Sequence, residues 1–326
     1  MINIALIGTT GMVGETIRNV LEERQLPIGE VYLFASKRSA GSVVEFLGKS
    51  HTIIELTEEN IASKKIDIAL MSAGGSISEH YAPLLIKQGA VVIDNSSVFR
   101  MNSDVPLIVP EVNANAIGSS NLISNPNCST IQSVLPLKVL DDLYGIKRVV
   151  YSTYQAVSGS GVAGVADLEN ETTFNYPYQI SNNILPHIDS FEDNGYTKEE
   201  MKMIEETRKI LNKPDLRVTA TTVRVPIVNT HAVNINVELE KDFDVEDVKA
   251  AMANYPGITL RDDVANNIYP LAENADGKDD VFVGRIRRDF SLEHGLNLWC
   301  VADNIRKGAA TNTVQIAENI IKERNL

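Results

Sequence analysis

The segment ALIGTTGMVGETI, close to the first residue, limits the possible folds more than any other stretch. Gly8, Gly11 and Gly14 follow a short β-branched run, INIALI, and precede ETIRNVLEER, whose apolar residues recur at helical spacing. A glycine loop between a strand and a helix brings backbone amides and the positive end of the helix dipole to a pyrophosphate. The segment therefore predicts a dinucleotide-binding unit; the alternative is a glycine-rich turn with no ligand.

The residues after this loop alternate between strand and helix patterns. EVYLFAS, IDIALMS and AVVIDNS are strand-like, and ISEHYAPLLIKQG is a helix pattern that ends at a glycine cap. Such alternation is typical of a parallel sheet with helices on both faces. We therefore predict an α/β fold that begins with a Rossmann-like, doubly wound parallel sheet.

The pattern changes at about residue 148. RVVYSTYQAV, RVTATTVRV and AVNINVEL largely alternate apolar and polar residues, as in a sheet with one covered face, whereas the last segment has helical spacing. We predict two domains. The first comprises residues 1–128 and is completed by the C-terminal helix 303–326, and the second is an α+β domain over residues 129–302.

Composition excludes several classes of partner. With 30 basic and 43 acidic side chains the formal charge is −13, and no basic stripe is present, so nucleic acid is a poor partner. No stretch reaches the roughly 20 apolar residues of a membrane span, and the first residues lack the features of a secretory signal. We therefore expect a cytoplasmic protein with no membrane partner, whose cysteines, Cys128 and Cys300, are free thiols.

The end of the second predicted strand indicates which dinucleotide binds. The strand runs into FASKRSAG and lacks the acidic residue that holds a ribose 2′-hydroxyl in NAD enzymes. Ser36, Lys37, Arg38 and Ser39 would instead meet a 2′-phosphate, which favours NADP. The alternative is a solvated basic loop.

The segment SNPNCST predicts a reactive cysteine. Cys128 precedes STIQSVLPLKVLDDL, whose apolar residues share a helical stripe, so the thiol lies at or just before a helix N-terminus. Unpaired amides and the dipole there favour the thiolate, which attacks carbonyl carbons. A buried structural cysteine is the alternative, and it is the preferred interpretation for Cys300 in the apolar strand LNLWCVA.

Taken in order, these segments resemble the bacterial-type aspartate-semialdehyde dehydrogenases. The resemblance covers nearly the whole chain, through GTTGMVG, FASKRSAG, DNSSVFR, VPEVN, SNPNCSTIQ, YQAVSGSG, NGYTKEEMKM, RVPIVNTH and VADNIRKGAATNTVQIAE. It implies NADP-dependent reductive dephosphorylation of 4-phospho-L-aspartate to L-aspartate 4-semialdehyde. That reaction lies on the route to lysine, threonine and methionine, and the resemblance implies a homodimer or homotetramer whose second domain is catalytic and dimerising.

The resemblance also implies residue roles. Cys128 would form a thioester with loss of phosphate, His231 would be the general acid-base, and Gln155 would orient substrate and support the thioester. The implied substrate ligands are Arg100 and Lys202 for phosphate, Arg224 for the carboxylate, Glu199 for the amino group, and Asn127. The predicted cofactor contacts are Gly8, Thr10, Gly11, Met12, Val13, Gly14, Ser36, Arg38, Ser39, Ser72, Ala73, Gly74, Ser158, Gly159 and Asn304, and no metal ligand is predicted.

The residues alone leave other interpretations open. A lone histidine before a strand is often structural, Gln155 could be an ordinary strand-end amide, and Glu199 with Lys202 could form a surface ion pair. Ala232 and Val233 follow His231 where family members commonly have Ser-Glu, which puts in doubt a hydrogen bond that supports the imidazole. The rival functions are a related acyl-phosphate reductase and a catalytically silent nucleotide-binding paralogue.

Overall fold

The computed structural model describes the whole chain, Met1–Leu326. The strands are β1 Ile2–Ile7, β2 Ile28–Ala35, β3 Val43–Phe46, β4 Lys49–Thr52, β5 Ile54–Glu55, β6 Ile68–Met71, β7 Val91–Asp94, β8 Leu122–Ser124, β9 Ile146–Gln155, β10 Arg217–Arg224, β11 His231–Leu239, β12 Ile258–Leu260, β13 Val281–Asp289 and β14 Gly295–Ala302. The α-helices are α1 Met12–Arg24, α2 Glu58–Ala62, α3 Gly75–Lys87, α4 Pro110–Asn113, α5 Cys128–Tyr144, α6 Gly161–Glu169, α7 Lys198–Ile210, α8 Val245–Ala253, α9 Ala272–Ala275 and α10 Asn312–Arg324.

The chain divides into two compact units. The first comprises Met1–Pro126 and Ala309–Leu326, and the second comprises Asn127–Gly308. Asn127, Cys128 and residues 303–308 therefore belong to the second unit, whereas the sequence analysis placed them in the first domain. None of the helices combines the length and the apolar character needed to cross a bilayer.

The first unit contains a six-stranded parallel sheet in the order β5-β2-β1-β6-β7-β8. Alternate residues of β1 point to opposite faces: Ile4 and Leu6 pack in one apolar cluster, and Ala5 and Ile7 pack in another. Residues of α1 and α10 lie in the first cluster, and residues of α3 lie in the second. Helices therefore cover both faces, which confirms the predicted doubly wound sheet.

The glycine loop joins β1 to α1 where no larger residue fits. Gly8 has φ +87°, and a Cβ added there would lie 2.7 Å from the Ser72 carbonyl oxygen. A Cβ on Gly14 would lie 2.2 Å from the Gly8 carbonyl oxygen. Because of these close approaches, the loop is tight and α1 begins directly behind it, with Gly11 as its N-cap.

The second unit contains a mixed sheet in the order β10-β9-β11-β14-β13-β12. β9 pairs in parallel with β10, and β11 is antiparallel to both β9 and β14. Along β11 buried residues alternate with partly buried ones, as the sequence pattern predicts, and α5 packs against the buried face. The end of β9, the end of β10 and the start of β11 consequently meet at one edge of the sheet.

Candidate active site

The nucleophile candidate Cys128 is the first residue of α5, as its sequence context predicts. Asn127 is the N-cap, and its side-chain Oδ1 accepts hydrogen bonds from the backbone N–H groups of Ser129 at 3.0 Å and Thr130 at 3.2 Å. The thiol is partly exposed. Its position in the first turn, at the positive end of a 17-residue helix, favours the thiolate.

A glycine makes room for this cysteine. Gly308 lies beside Cys128, and a Cβ added to Gly308 would lie 2.7 Å from the Cβ of Cys128. Any side chain at position 308 would therefore displace either Cys128 or the backbone of residue 308. The sequence analysis did not single out Gly308, although it lies within the matched segment VADNIRKGAATNTVQIAE.

Helix α7 places a buried carboxylate beside Asn127, the N-cap of α5. Glu199 accepts hydrogen bonds from Asn127 Nδ2 at 2.8 Å and Gln155 Nε2 at 3.1 Å, and it contacts Lys202 Nζ at 3.2 Å. Burial raises the pKa of Glu199, but Lys202 and the two amides outweigh burial and hold the pKa below its ordinary value. Glu199 is therefore ionised at neutral pH.

Lys202 lies between two carboxylates. Its ammonium contacts Glu199 and also Asp189, at 2.8 Å. Burial lowers the pKa of Lys202, and the two carboxylates more than reverse this effect, so the lysine is a cation. The three-residue spacing thus brings Glu199 and Lys202 together, and the pair is partly buried, because Glu199 is only 6% exposed whereas the Lys202 side chain is 25% exposed.

His231, the first residue of β11, is fully buried. Its Nδ1 accepts a hydrogen bond from the backbone N–H of Ala156 at 3.0 Å, whereas Nε2 has no hydrogen-bond partner. Because a backbone N–H only donates, Nδ1 carries no proton, and the neutral imidazole carries its hydrogen on Nε2. Burial and the Arg224 cation lower the pKa of His231 to about 3, against the opposing effects of Glu199 and of the Thr230 backbone.

Arg224, the last residue of β10, is held by the backbone of Ala156, the same residue that contacts His231. Its Nη1 donates to the carbonyl oxygen of Ala156, and Tyr176 places its ring 6.0 Å from the guanidinium carbon. The Nε group is buried and has no hydrogen-bond partner. The edge formed by Nε and the second terminal nitrogen therefore fits a carboxylate, which a guanidinium binds through two parallel hydrogen bonds.

Gly159 borders both side chains. A Cβ added there would lie 3.0 Å from Arg224 Nη1 and 3.3 Å from His231 Nε2. The absence of a side chain leaves space for a ligand next to the histidine N–H. Gly159 is one of the predicted cofactor contacts, and its position also suits a substrate.

The remaining predicted residues of the second unit, Gln155, Ser158 and Asn304, all make side-chain hydrogen bonds. Gln155 accepts from Thr153 Oγ1 at 2.9 Å and donates to Glu199. Asn304 donates to Ser158 Oγ at 2.9 Å and accepts from the backbone N–H of Thr230 at 2.8 Å. The side chains of Gln155, Ser158 and Asn304 are all buried.

The predicted cofactor contacts of the first unit follow three adjacent strands. The glycine loop follows β1, the loop that contains Ser36, Arg38 and Ser39 follows β2, and residues 72–74 follow β6. Because the carboxyl ends of parallel strands share one edge, these loops lie together, as a dinucleotide site requires. The absence of space for side chains at Gly8 and Gly14 fits a close approach of pyrophosphate to the backbone.

Arg100, the other predicted phosphate ligand, also belongs to the first unit. It follows β7, is 8% exposed, and donates from Nη2 to the carbonyl oxygen of Asn95 at 2.8 Å. No group of three or more His, Cys, Asp or Glu side chains is arranged to hold a metal ion.

Comparison with known proteins decides the family. Residues 3–120 match the semialdehyde dehydrogenase NAD binding domain, and residues 137–307 match the semialdehyde dehydrogenase dimerisation domain. The aspartate-semialdehyde dehydrogenase of Aquifex aeolicus (strain VF5) is 51% identical over 98% of each chain. The chain belongs to the aspartate-semialdehyde dehydrogenase family. The enzyme of Legionella pneumophila is 50% identical over 99% of this chain and 96% of its own.

Solved structures agree with this family and with the predicted fold class. Aspartate semialdehyde dehydrogenase II from Vibrio cholerae, crystallised in complex with ASA, has a TM-score of 0.94 at 44% identity, with 99% of each chain covered. The aspartate semialdehyde dehydrogenase with NADP from Candida albicans has a TM-score of 0.77 at 25% identity, covering 100% of this chain and 99% of that chain.

Several residues at the site escaped the sequence analysis. Ala156 contributes only backbone groups, and Asp189 lies in an irregular segment without a recognisable pattern. Glu206 was the one with a detectable signal, since it lies seven residues after Glu199 and therefore on the same face of α7.

Proposed function

We propose that this chain is an NADP-dependent aspartate-semialdehyde dehydrogenase. It interconverts L-aspartate 4-semialdehyde, phosphate and NADP with 4-phospho-L-aspartate and NADPH, early in the biosynthesis of lysine, threonine and methionine. The observation that carries the proposal is a continuous set of contacts within one unit. Asn127, next to the nucleophile, contacts Glu199, Glu199 contacts Gln155, and the adjacent Ala156 holds His231 and Arg224.

Cys128 acts as the nucleophile. Its thiolate attacks the acyl carbon of 4-phospho-L-aspartate and forms a carbon–sulfur bond, and cleavage of the bond between the acyl carbon and the phosphate oxygen then releases phosphate and leaves a thioester. Bound NADPH would supply the hydride for reduction of the thioester carbonyl. Cleavage of the carbon–sulfur bond then gives the aldehyde and restores the thiolate. The helix N-terminus stabilises the thiolate at the start and at the end.

His231 donates a hydrogen bond from Nε2 to the acyl oxygen as negative charge develops there. The Ala156 N–H on Nδ1 supports this assignment, because a proton on Nδ1 would face another N–H. The family resemblance implies a general acid-base at this position, and the tautomer favours the donor half of that role. A neutral imidazole that donates in this way needs no change of ionisation during turnover.

The charged side chains orient the substrate. Arg224 binds the substrate carboxylate through Nε and a terminal nitrogen, Glu199 receives the amino group, and Lys202 binds phosphate. Arg100 is the other phosphate ligand that the family resemblance implies. The ionised state of Glu199 and the cationic state of Lys202 support these roles. Asn127 and Gln155 hold Glu199 and contact the substrate at its acyl end. Anchoring both ends of a small substrate aligns the acyl carbon with the thiolate.

NADP is the proposed cofactor. Arg38 is exposed after β2, with Ser36 and Ser39 beside it, and a guanidinium with nearby hydroxyls suits a 2′-phosphate. In the first unit the proposed contacts are the glycine loop and residues 72–74, and the family resemblance also implies Ser158, Gly159 and Asn304 as contacts. The NADP complex of the Candida albicans relative supports this cofactor class.

The enzyme forms a homodimer or homotetramer. The face of the second-unit sheet that does not contact α5 has a pocket of about 540 Å³. Most of its lining is apolar or aromatic, including Tyr154, Ile227, Trp299 and Val301, and Arg285 and Arg287 also border it. The match of residues 137–307 to a dimerisation domain supports burial of this face against a second copy. Light scattering that shows only a monomer at micromolar concentration would contradict this assembly.

Steady-state kinetics test the activity. The purified protein should reduce NADP in the presence of L-aspartate 4-semialdehyde and phosphate, and omission of phosphate should abolish the rate. N-acetylglutamate 5-semialdehyde and glyceraldehyde 3-phosphate, the substrates of the rival reductases, should support at most a small fraction of that rate. Binding of NADP without turnover of any of the three aldehydes would identify a silent paralogue.

A further inference from the structure

Glu206 is a buried carboxylate that the reaction described above does not use. It lies on α7, is 1% exposed, and its Oε2 accepts a hydrogen bond from the backbone N–H of Asn127 at 2.7 Å. Burial of a carboxylate destabilises the folded state unless the carboxylate accepts strong hydrogen bonds. A short hydrogen bond from a backbone N–H is a strong one. The contact joins α7 to the residue directly before the nucleophile.

The Glu206 contact completes the hydrogen bonding of Asn127. The Asn127 carbonyl accepts from Ile131 N–H at 2.9 Å, Oδ1 caps α5, and Nδ2 donates to Glu199. The remaining group is the backbone N–H, which has no backbone acceptor within the helix because the N-cap precedes the first helical turn. With Glu206, every polar group of Asn127 has a partner.

One face of α7 carries the two carboxylates that hold Asn127. Glu199, Lys202 and Glu206 lie at positions i, i+3 and i+7 and therefore point in similar directions from the helix. Glu199 holds the side chain of Asn127 and Glu206 holds its backbone N–H. Asn127 therefore cannot change its orientation without breaking one of these two hydrogen bonds. The position of Cys128 follows from that of Asn127, since a single peptide bond joins them.

We propose that Glu206 is a positioning residue for the nucleophile: its carboxylate fixes the backbone of Asn127 and thereby the start of α5 and the place of the Cys128 thiol. The kinetic consequence rests on the proposed function, whereas the structural consequence does not. Loss of the contact releases the first turn of α5, and the thiol then occupies a range of positions relative to a bound acyl group.

The test compares Glu206→Ala and Glu206→Gln with Thr207→Ala in the full-length enzyme. Glutamine keeps an acceptor oxygen at the position of Oε2. Thr207 is the matched control, because it is the next residue of α7, is fully buried, and loses one hydrogen bond, to the Tyr151 hydroxyl, without touching Asn127. Glu206→Asp, which keeps the charge and withdraws it from Asn127, replaces the alanine variant if that variant does not fold.

Two measurements are read together. In Glu206→Ala, amide hydrogen exchange over residues 127–131 should become about tenfold faster or more, and kcat with aspartate semialdehyde should fall about 10²-fold while KM changes less than about threefold. Glu206→Gln should recover most of both. Thr207→Ala should show neither change, whatever its melting temperature.

A Glu206→Ala enzyme with kcat within about threefold of wild type would overturn the proposal. Equal losses in Glu206→Ala and Thr207→Ala would overturn it as well, since they would show a general effect on stability. If the wild-type protein itself fails to turn over aspartate semialdehyde, the proposed function fails. The exchange measurement alone then decides whether Glu206 holds Asn127.

Discussion

The substitution Arg224→Lys keeps a positive charge at the proposed carboxylate site but removes the planar guanidinium. The guanidinium makes one hydrogen bond to the Ala156 carbonyl and leaves Nε, in a buried position, free to donate to the substrate. A lysine ammonium is a single point donor on a flexible chain, so it cannot hold Ala156 and grip both oxygens of a carboxylate in a fixed plane. The positive charge beside His231 is kept.

The size of the effect follows from the bonds that are lost. A hydrogen bond to a charged group contributes about 1.5–3 kcal/mol, so loss of one of two such bonds in the transition state lowers kcat/KM by about 10- to 150-fold. Misplacement of the acyl carbon by about 1 Å acts in the same direction and by about 10²-fold. We therefore expect kcat/KM for aspartate semialdehyde to fall by about 10²-fold or more.

Steady-state kinetics with aspartate semialdehyde and a separate titration of NADP measure this effect. Arg217→Lys is the matched control, because Arg217 begins the same strand, is exposed, and contacts Glu238 rather than the site. NADP affinity should be unchanged in both variants. A kcat/KM close to the wild-type value in Arg224→Lys would show that Arg224 does not bind the carboxylate through two hydrogen bonds.

Three further predictions concern the nucleophile, the cofactor and the histidine. Cys128→Ser should retain the fold and NADP binding but lose turnover, because a hydroxyl without a suitable base is a far poorer nucleophile than a thiolate; substantial residual activity in the steady-state assay would reject the assignment. Arg38→Gln should weaken NADP binding about tenfold or more and leave NAD nearly unchanged in fluorescence titrations, since only NADP carries the 2′-phosphate; equal losses for both would count against this contact. His231 has its pKa lowered to about 3 in the folded state. Below about pH 6.5 the imidazole therefore binds a proton in the unfolded chain but not in the folded one. Between pH 6 and pH 4 the free energy of unfolding in urea should consequently fall more steeply for the wild type than for His231→Gln, by up to about 1.4 kcal/mol per pH unit. Parallel stability profiles of the two proteins would show that the histidine is not held neutral.

The sequence predicted the parts of the site that depend on local pattern. The helical stripe of apolar residues after Cys128 predicted a helix start at or just after the thiol, and α5 begins at Cys128 with Asn127 as its N-cap. The spacing of Glu199 and Lys202 predicts neighbours on one helix face, and they are in contact. The strand and helix periods likewise predicted the parallel sheet of the first unit, since both of its faces are covered by helices.

The parts that depend on strand register escaped prediction. Ala156 positions His231 and Arg224 through its backbone N–H and carbonyl oxygen. The identity of its side chain therefore gives no indication of this role. The arrangement arises because β9 and β10 are parallel and end together at Gln155 and Arg224, while antiparallel β11 starts at the same edge. Local sequence patterns do not determine which strands become neighbours in a sheet. These contacts could therefore not be inferred from a single sequence.

The residues after His231 show how a departure from the family pattern can leave the imidazole supported. Ala232 and Val233 cannot donate or accept the hydrogen bond that Ser-Glu would offer. Val233 is fully buried and pairs with Cys300 across the strands, and Ala232 lies in the pocket on the opposite face of the sheet. The imidazole instead takes its hydrogen bond from the Ala156 backbone, which a change of side chain at positions 232 and 233 does not remove. We infer that the tautomer of His231 is set by the pairing of β9 with β11, so it depends on the sheet and not on the two residues that differ.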